Sequence, residues 1–287
     1  MIRIGKGVRF REAGIYLHNG VEVRIGDEVR FEETSIHLCN GAELSIGNET
    51  QLEGSNLALK DFSKIAISKE AVLQENHVDI GKCSAWEIDR GCQLVSLYMI
   101  MNKEADVVFG EDVKIIAYTR GSVYWDVGNL AKVEIGGGGC FSGFGNCSVG
   151  ETASLRIGEG FTIGENYQIS VGEGTNITIG KDCMFSRNIF MGSNDAHSIF
   201  DVETGNNINS THDIAKGRSI VIGNHVWGGN YSCILYHTQI GDGSIIGAMS
   251  LVKGKIPNNC TAAGNPARVI RKNIAWSREN GAEDIGE

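Results

Sequence analysis

Proline is almost missing from this chain, with 2 in 287 residues against 39 glycines. Much glycine with little proline points to many tight, regular turns. No Cys-x-x-Cys pair occurs among the 8 cysteines, which excludes a zinc finger and a disulfide scaffold, so reduced thiols and no metal are expected. No apolar run reaches membrane-spanning length, and the opening MIRIGKGVRF has no apolar h-region. A soluble, cytoplasmic protein without a membrane span is therefore expected. Positive charge is also scarce: Lys and Arg number 26 against 35 Asp and Glu, a net charge of -9. That argues against a broad nucleic-acid surface and makes any phosphate site local.

What the chain does have is a repeat. The units IGKGVRF, IGDEVRF, IGNETQL, ISKEAVL, IDRGCQL and FGEDVKI begin at Ile4, Ile25, Ile46, Ile67, Ile88 and Phe109, a step of 21 each time. The beat continues less evenly at Ile135, Ile157, Ile179, Ile222 and Ile240. Within each unit the first, fifth and seventh residues are mostly apolar, and Gly, Asp or Asn marks the corners. Short period-two runs at a fixed step near 20 predict an all-β solenoid, a parallel β-helix whose coils stack along its length. Cys92 and Cys183 fall in the small inward slot that valine fills elsewhere, so they are expected to pack rather than react. The run GGGG at 136–139 opens no helix and is expected to be a corner instead of a phosphate loop.

One stretch breaks the beat. From Ile179 to Ile222 is 43 residues, about two coils, and residues 193–219 are polar and irregular with two histidines. A protruding loop at about 193–219 is expected, and long loops in compact repeats are usually functional.

The sequence IVIGNHVW, followed by TQIGDGSIIGAMSLVKGKIPNNCTAAGNPARVIRK, resembles the hexapeptide-repeat acyltransferases, in the branch of galactoside, maltose and capsular polysaccharide O-acetyltransferases. The resemblance covers residues 150–275. It implies a left-handed β-helix, whereas the general crossover rule alone would predict right-handed coils. It also implies a homotrimer with acetyl-CoA between subunits. Three regions are expected: N-terminal solenoid coils over 1–130, an acetyltransferase domain over 131–275, and a polar acidic tail over 276–287.

The resemblance further implies site residues. His197 in DAHSIFD matches the catalytic base, because a sugar hydroxyl needs a group of near-neutral pKa to take its proton; His212 is the competitor in the same loop. Asp195 and Asp201 flank His197 as candidates to orient its ring. Trp227 matches a tryptophan placed against acceptor and acetyl group, and Gly228 after it replaces a usual large aliphatic, which predicts extra width nearby. Asn166 matches an acceptor-binding asparagine. Ala248 and Lys253 match pantetheine contacts, and Arg268 with Arg271 matches a basic pair at the adenosine phosphates.

The expected activity is acetyl-CoA-dependent O-acetylation of a sugar hydroxyl in a surface polysaccharide or its precursor. N-acetylation of an amino-sugar nucleotide and a non-catalytic glycan-binding solenoid remain as alternatives. The long N-terminal face favours a large carbohydrate acceptor, with Tyr98, Tyr118, Tyr124 and Trp125 as candidates to stack on sugar rings.

Overall fold

The computed structural model describes residues 1–117, 121–195, 197–209 and 218–279; Tyr118 and His212 lie outside them. Every named element of the described residues is a β-strand, and no helix is long and apolar enough to cross a membrane. The chain coils into a three-faced parallel β-helix. Face one carries strands such as Glu22–Ile25 and Glu43–Ile46, face two Arg30–Glu32 and Gln51–Glu53, and face three Ser35–Leu38 and Asn56–Leu59. Each strand pairs in parallel with its counterpart one coil on: Val23 faces Leu44, Phe31 faces Leu52 and Ile36 faces Leu57. The parallel register continues across residue 130, with Val107 opposite Val133.

Alternation decides what is inside. In Asp106–Phe109, for example, Val107 and Phe109 are buried and Asp106 is exposed. Burying each such side chain contributes about 1.5–3 kcal/mol before conformational entropy is counted. A chain of edge-to-face aromatic contacts fills the middle coils, running Trp86–Phe109–Trp125–Phe141 with centroids 6.0, 5.5 and 5.4 Å apart. Trp125 is thus core, fully buried, and its indole donates to the Tyr167 hydroxyl at 3.3 Å. It cannot serve as a sugar platform, a correction to the expectation above.

The cysteine slots behave as expected. Cys92 and Cys183 are buried, and each thiol lies 3.1 Å from a corner carbonyl one coil on, those of Gly110 and Gly223. Burial pushes both thiols up to about 11.

Each corner needs one residue in the left-handed region. Between faces one and two this column includes Glu28, Glu49 and Glu70, with φ of 56°, 58° and 62°. Gly138 takes the same place at 67°, and a Cβ on Gly136 would come within 2.6 Å of the Glu159 amide in the next coil. The glycine run is therefore a solenoid corner, shaped by backbone strain and close stacking.

The two ends differ. At the start, Ile2, Ile4 and Phe10 are 55, 55 and 46% exposed. At the other end the last strand, Ala267–Lys272, turns back antiparallel on Cys260–Gly264. The strand Cys233–Ile240 bends from face three to face one, and Leu251–Ile256 follows it. This joins the two faces into one 21-stranded sheet beside the 13-stranded sheet of face two.

Candidate functional site

The loop leaves the solenoid where face three meets face one. Ser193 is its last stacked residue: its hydroxyl accepts from the Gly172 amide at 2.8 Å and bonds Thr175 at 2.6 Å. The chain rejoins face one at Ile220–Ile222. Within the loop, the carboxylate of Asp201 accepts from the backbone of Glu203 and from the backbone and hydroxyl of Thr204. That turns a small hairpin closed by Ile208 donating to the Ile199 carbonyl at 2.8 Å. Asp201 therefore shapes a turn and does not orient His197, and these hydrogen bonds hold its carboxyl below the usual range.

Asp195 does a different job. Its carboxylate receives Arg218 at 2.9 Å and the Asn209 amide at 3.1 Å. Asn209 also donates to the His197 carbonyl at 2.8 Å and accepts from the Ile199 amide at 2.6 Å. Arg218, 6% exposed, lies 4.7 Å over the Tyr236 ring, with the Lys253 ammonium 4.3 Å from the same ring. Burial alone would raise the Asp195 carboxyl, but hydrogen bonds from Asn209 and Tyr236 and the charge of Arg218 outweigh it and lower it. Asp195 thus pins the backbone that carries His197. The His197 side chain is exposed and has no hydrogen bond with any described residue. Sequence reasoning missed Arg218, Asn209 and Tyr236, because their value lies in a meeting point that no spacing encodes.

Trp227 lies on the outer side of face two. Its row runs, in register, Thr162, Met184, Trp227, Ile245, Thr261 and Arg271. Gly228 points inward, where a Cβ would stand 2.4 Å from the Phe185 ring. The missing aliphatic is therefore replaced by Phe185 from the neighbouring coil, and Gly228 adds no width to the outer surface. The segment after Lys272 crosses this face. Trp276 stacks on His225 with centroids 4.0 Å apart and reaches within 6.0 Å of Trp227. Arg278 donates to Asp182, Thr162 and the Gly160 and Cys183 carbonyls at 2.6–3.0 Å. His225 and Asp182, successive residues of one left-handed corner column, meet at 2.6 Å. Residues 276–279 are an anchored strap, which composition alone read as part of a polar tail. The Trp227 indole nitrogen is buried, with no hydrogen-bond partner among the described residues.

The arginine pair gains from a bulge. Ala262 pairs Val269, and the next pair is Thr261 with Arg271, so Ile270 is the extra residue. Without it, Arg268 and Arg271 would point to opposite sides; with it, both share the outer side, opposite Ala263 and Thr261. Asn166, at φ 57° on the corner between faces two and three, gives its side-chain amide to Asn188 at 2.6 Å. Ala248 lies exposed on the same corner.

One chain thus divides the candidates. His197 and Lys253 lie at the edge between faces three and one, while Asn166, Ala248, Trp227, Arg268 and Arg271 lie on face two and its border with face three. Face three separates the groups.

No family model matches the chain. Over 109 residues it is 39% identical to a polysialic acid O-acetyltransferase of Escherichia coli O1:K1 / APEC, a match covering 38% of this chain and 34% of that protein. It is 53% identical over 53 residues to the galactoside O-acetyltransferase of Escherichia coli (strain K12), covering 18% of this chain and 26% of that one. The chain therefore spans about a quarter to a third of these relatives' lengths. Among solved structures, the polysialic acid O-acetyltransferase OatWY has a TM-score of 0.52 at 22% identity, covering 99% of this chain and 95% of that one. The fold is the left-handed β-helix of the hexapeptide-repeat acetyltransferases, which overrides the right-handed crossover rule. Over these matched segments the chain is homologous to the two named O-acetyltransferases.

Proposed function

We propose that this chain is an acetyl-CoA-dependent O-acetyltransferase acting on a sugar hydroxyl of a surface polysaccharide or its precursor. The observation that carries this reading is the long excursion from the solenoid after Ser193, pinned by Arg218, Asp195 and Asn209 so that it presents His197 to solvent. The identity to named O-acetyltransferases supports it. In the reaction, His197 takes the proton of the acceptor hydroxyl as that oxygen attacks the thioester carbonyl. The coenzyme thiolate then leaves and is protonated. Trp227 and Asn166 bound the acceptor side. Ala248 and Lys253 face the pantetheine arm, and Arg268 with Arg271 pairs with the adenosine phosphates, a role that suits two guanidinium groups on one side of a bulged hairpin.

We place the protein in the cytoplasm, and the division of these residues between two edges favours a homotrimer, in which the His197 edge of one copy meets the face-two border of the next. Light scattering should give three times the 31.0 kDa chain; a monomer would remove the shared site. The activity is tested by thiol release from acetyl-CoA with de-O-acetylated glycans and with UDP-amino sugars. Release with a glycan hydroxyl acceptor is expected. Release with amino sugars alone would replace O- by N-acetylation, and release with neither would leave a binding solenoid.

A further inference from the structure

The outer surface of face three carries a row that the proposed chemistry does not use. Following the register coil by coil, it reads Asn56, His77, Tyr98, Tyr124, Asn146 and Gln168. All six are exposed. His77 stacks on Tyr98 at 4.7 Å and 15°, and Tyr98 on Tyr124 at 5.4 Å and 17°. A surface strand row chosen only for solubility would carry charge, as face one does with Lys64–Glu43 and Arg156–Glu134. This row has no lysine or arginine, and its flanking row holds Asp79 and Asp126, each outward-facing two residues after His77 and Tyr124.

We propose that this row is a binding track for a neutral glycan chain laid along the solenoid axis. Because the rings stack face to face, they present edges and hydroxyl groups outward. With the amides on either side they offer a planar donor or acceptor at every coil, roughly 4.8 Å apart. A pyranose chain advances by a similar length per sugar, so successive sugars meet successive coils in the same way. Asp79 is paired with Lys60 at 3.2 Å, which leaves the Asp126 carboxylate, in a chain of net charge -9, to disfavour an anionic polymer. The row also leads to the right place: its next members, Phe190 and Cys233, lie on the face between the two edges that hold the candidate site residues. The track rests on the acetyltransferase reading for its purpose, and it names the acceptor as an extended neutral chain.

Direct binding tests it without relying on turnover. Maltohexaose, cellohexaose and chitohexaose, their disaccharides, and a sialic acid hexamer are titrated calorimetrically against the full chain and against Tyr98→Ala/Tyr124→Ala. At least one neutral hexasaccharide is expected to bind about tenfold more tightly than its disaccharide and to lose about that factor in the double variant, the loss of roughly one good contact. Tyr124→Phe, which keeps the stack, should lose less. The proposal is overturned if no neutral hexasaccharide outbinds its disaccharide, if the double variant binds like the parent, or if the sialic acid hexamer binds best. A smaller assembly mass in the double variant would also overturn it, since the row would then be a subunit contact. Thiol release with a short acceptor separates the two readings: if it persists while length dependence is absent, the track fails and the acetyltransferase stands.

Discussion

The coils before residue 117 and those after residue 130 share one core and one register, yet differ in how regularly the chain returns to the solenoid. The early coils keep a step of 21, and their described residues leave the solenoid nowhere. The later coils depart from that step in both directions, throw out the loop after Ser193, bend a strand around a corner at Cys233–Ile240, bulge at Ile270 and fold a strap back over face two. Regularity produces rows, in which the same chemistry recurs at a constant interval; irregularity brings unlike groups together. Arg218, Asp195, Asn209 and Tyr236 come from the loop and the bent strand, and no regular coil could assemble them. The contrast predicts that substitutions in the later coils act on turnover and local order, and those in the early rows on affinity for long ligands.

The sharpest break should come from His197→Ala. Turnover is expected to fall roughly 10²- to 10⁴-fold with acetyl-CoA affinity unchanged, measured by thiol release and calorimetry; His212→Ala is the control, and an inactive His212→Ala with an active His197→Ala would move the base. Next, Arg268→Ala with Arg271→Ala should raise the Michaelis constant for acetyl-CoA about tenfold or more, through lost charge-assisted contacts of ~1.5–3 kcal/mol each. Arg218→Met comes third. It strips a nearly buried partner from Asp195 and should cost about 1–3 kcal/mol, seen as faster proteolysis within 195–209. Asp195→Asn in the same chain should recover part of this, because the stranded charge is gone.

Acid should produce a smaller, graded effect. Asp195 and Asp182 both have depressed carboxyl pKa values, for which burial opposes and hydrogen bonds and Arg218 or Arg278 prevail. A depressed carboxyl stabilises the folded form above its unfolded pKa of ~3.9 and loses that contribution as pH falls through the folded value. Loop and strap should therefore loosen below about pH 4 while the solenoid remains, which tryptophan fluorescence from Trp276 and Trp227 against far-ultraviolet dichroism would separate. The least effect is expected at the packed thiols: at pH 8, Cys83, which is exposed, should alkylate long before Cys92 or Cys183. Equal rates would deny that the slots are closed.

How far the sequence could be read follows the same division. The inward slots were legible because period-two alternation and a step of 21 state them directly. Trp125 was misassigned even though Val123 and Val127 on either side share its parity and mark it as inward. Gly228 occupies the seventh slot of its unit, so the repeat already placed it inside; the supply of its volume by Phe185 depends on stacking. The loop's position was legible as a broken beat, whereas its anchor was not, because Arg218 meets Asp195 across a segment with no periodicity. The bulge at Ile270 was hidden for a related reason: parity along a strand can be counted, but an extra residue is defined only against a partner. Longest in range is the strap, in which Arg278 meets Gly160 across 118 positions.

That strap sets a direction for unravelling. A stack in which each layer touches only its neighbours comes apart from whichever end frays first. Arg278 joins the corners at 160 and 182 to the segment after the last strand, so the late coils are cinched like hoops of a barrel, while in the first described coil the inward-slot residues Ile2, Ile4 and Phe10 stay exposed. Under pulling or heat the coils that Arg278 cinches, which hold the candidate site, should be the last to open.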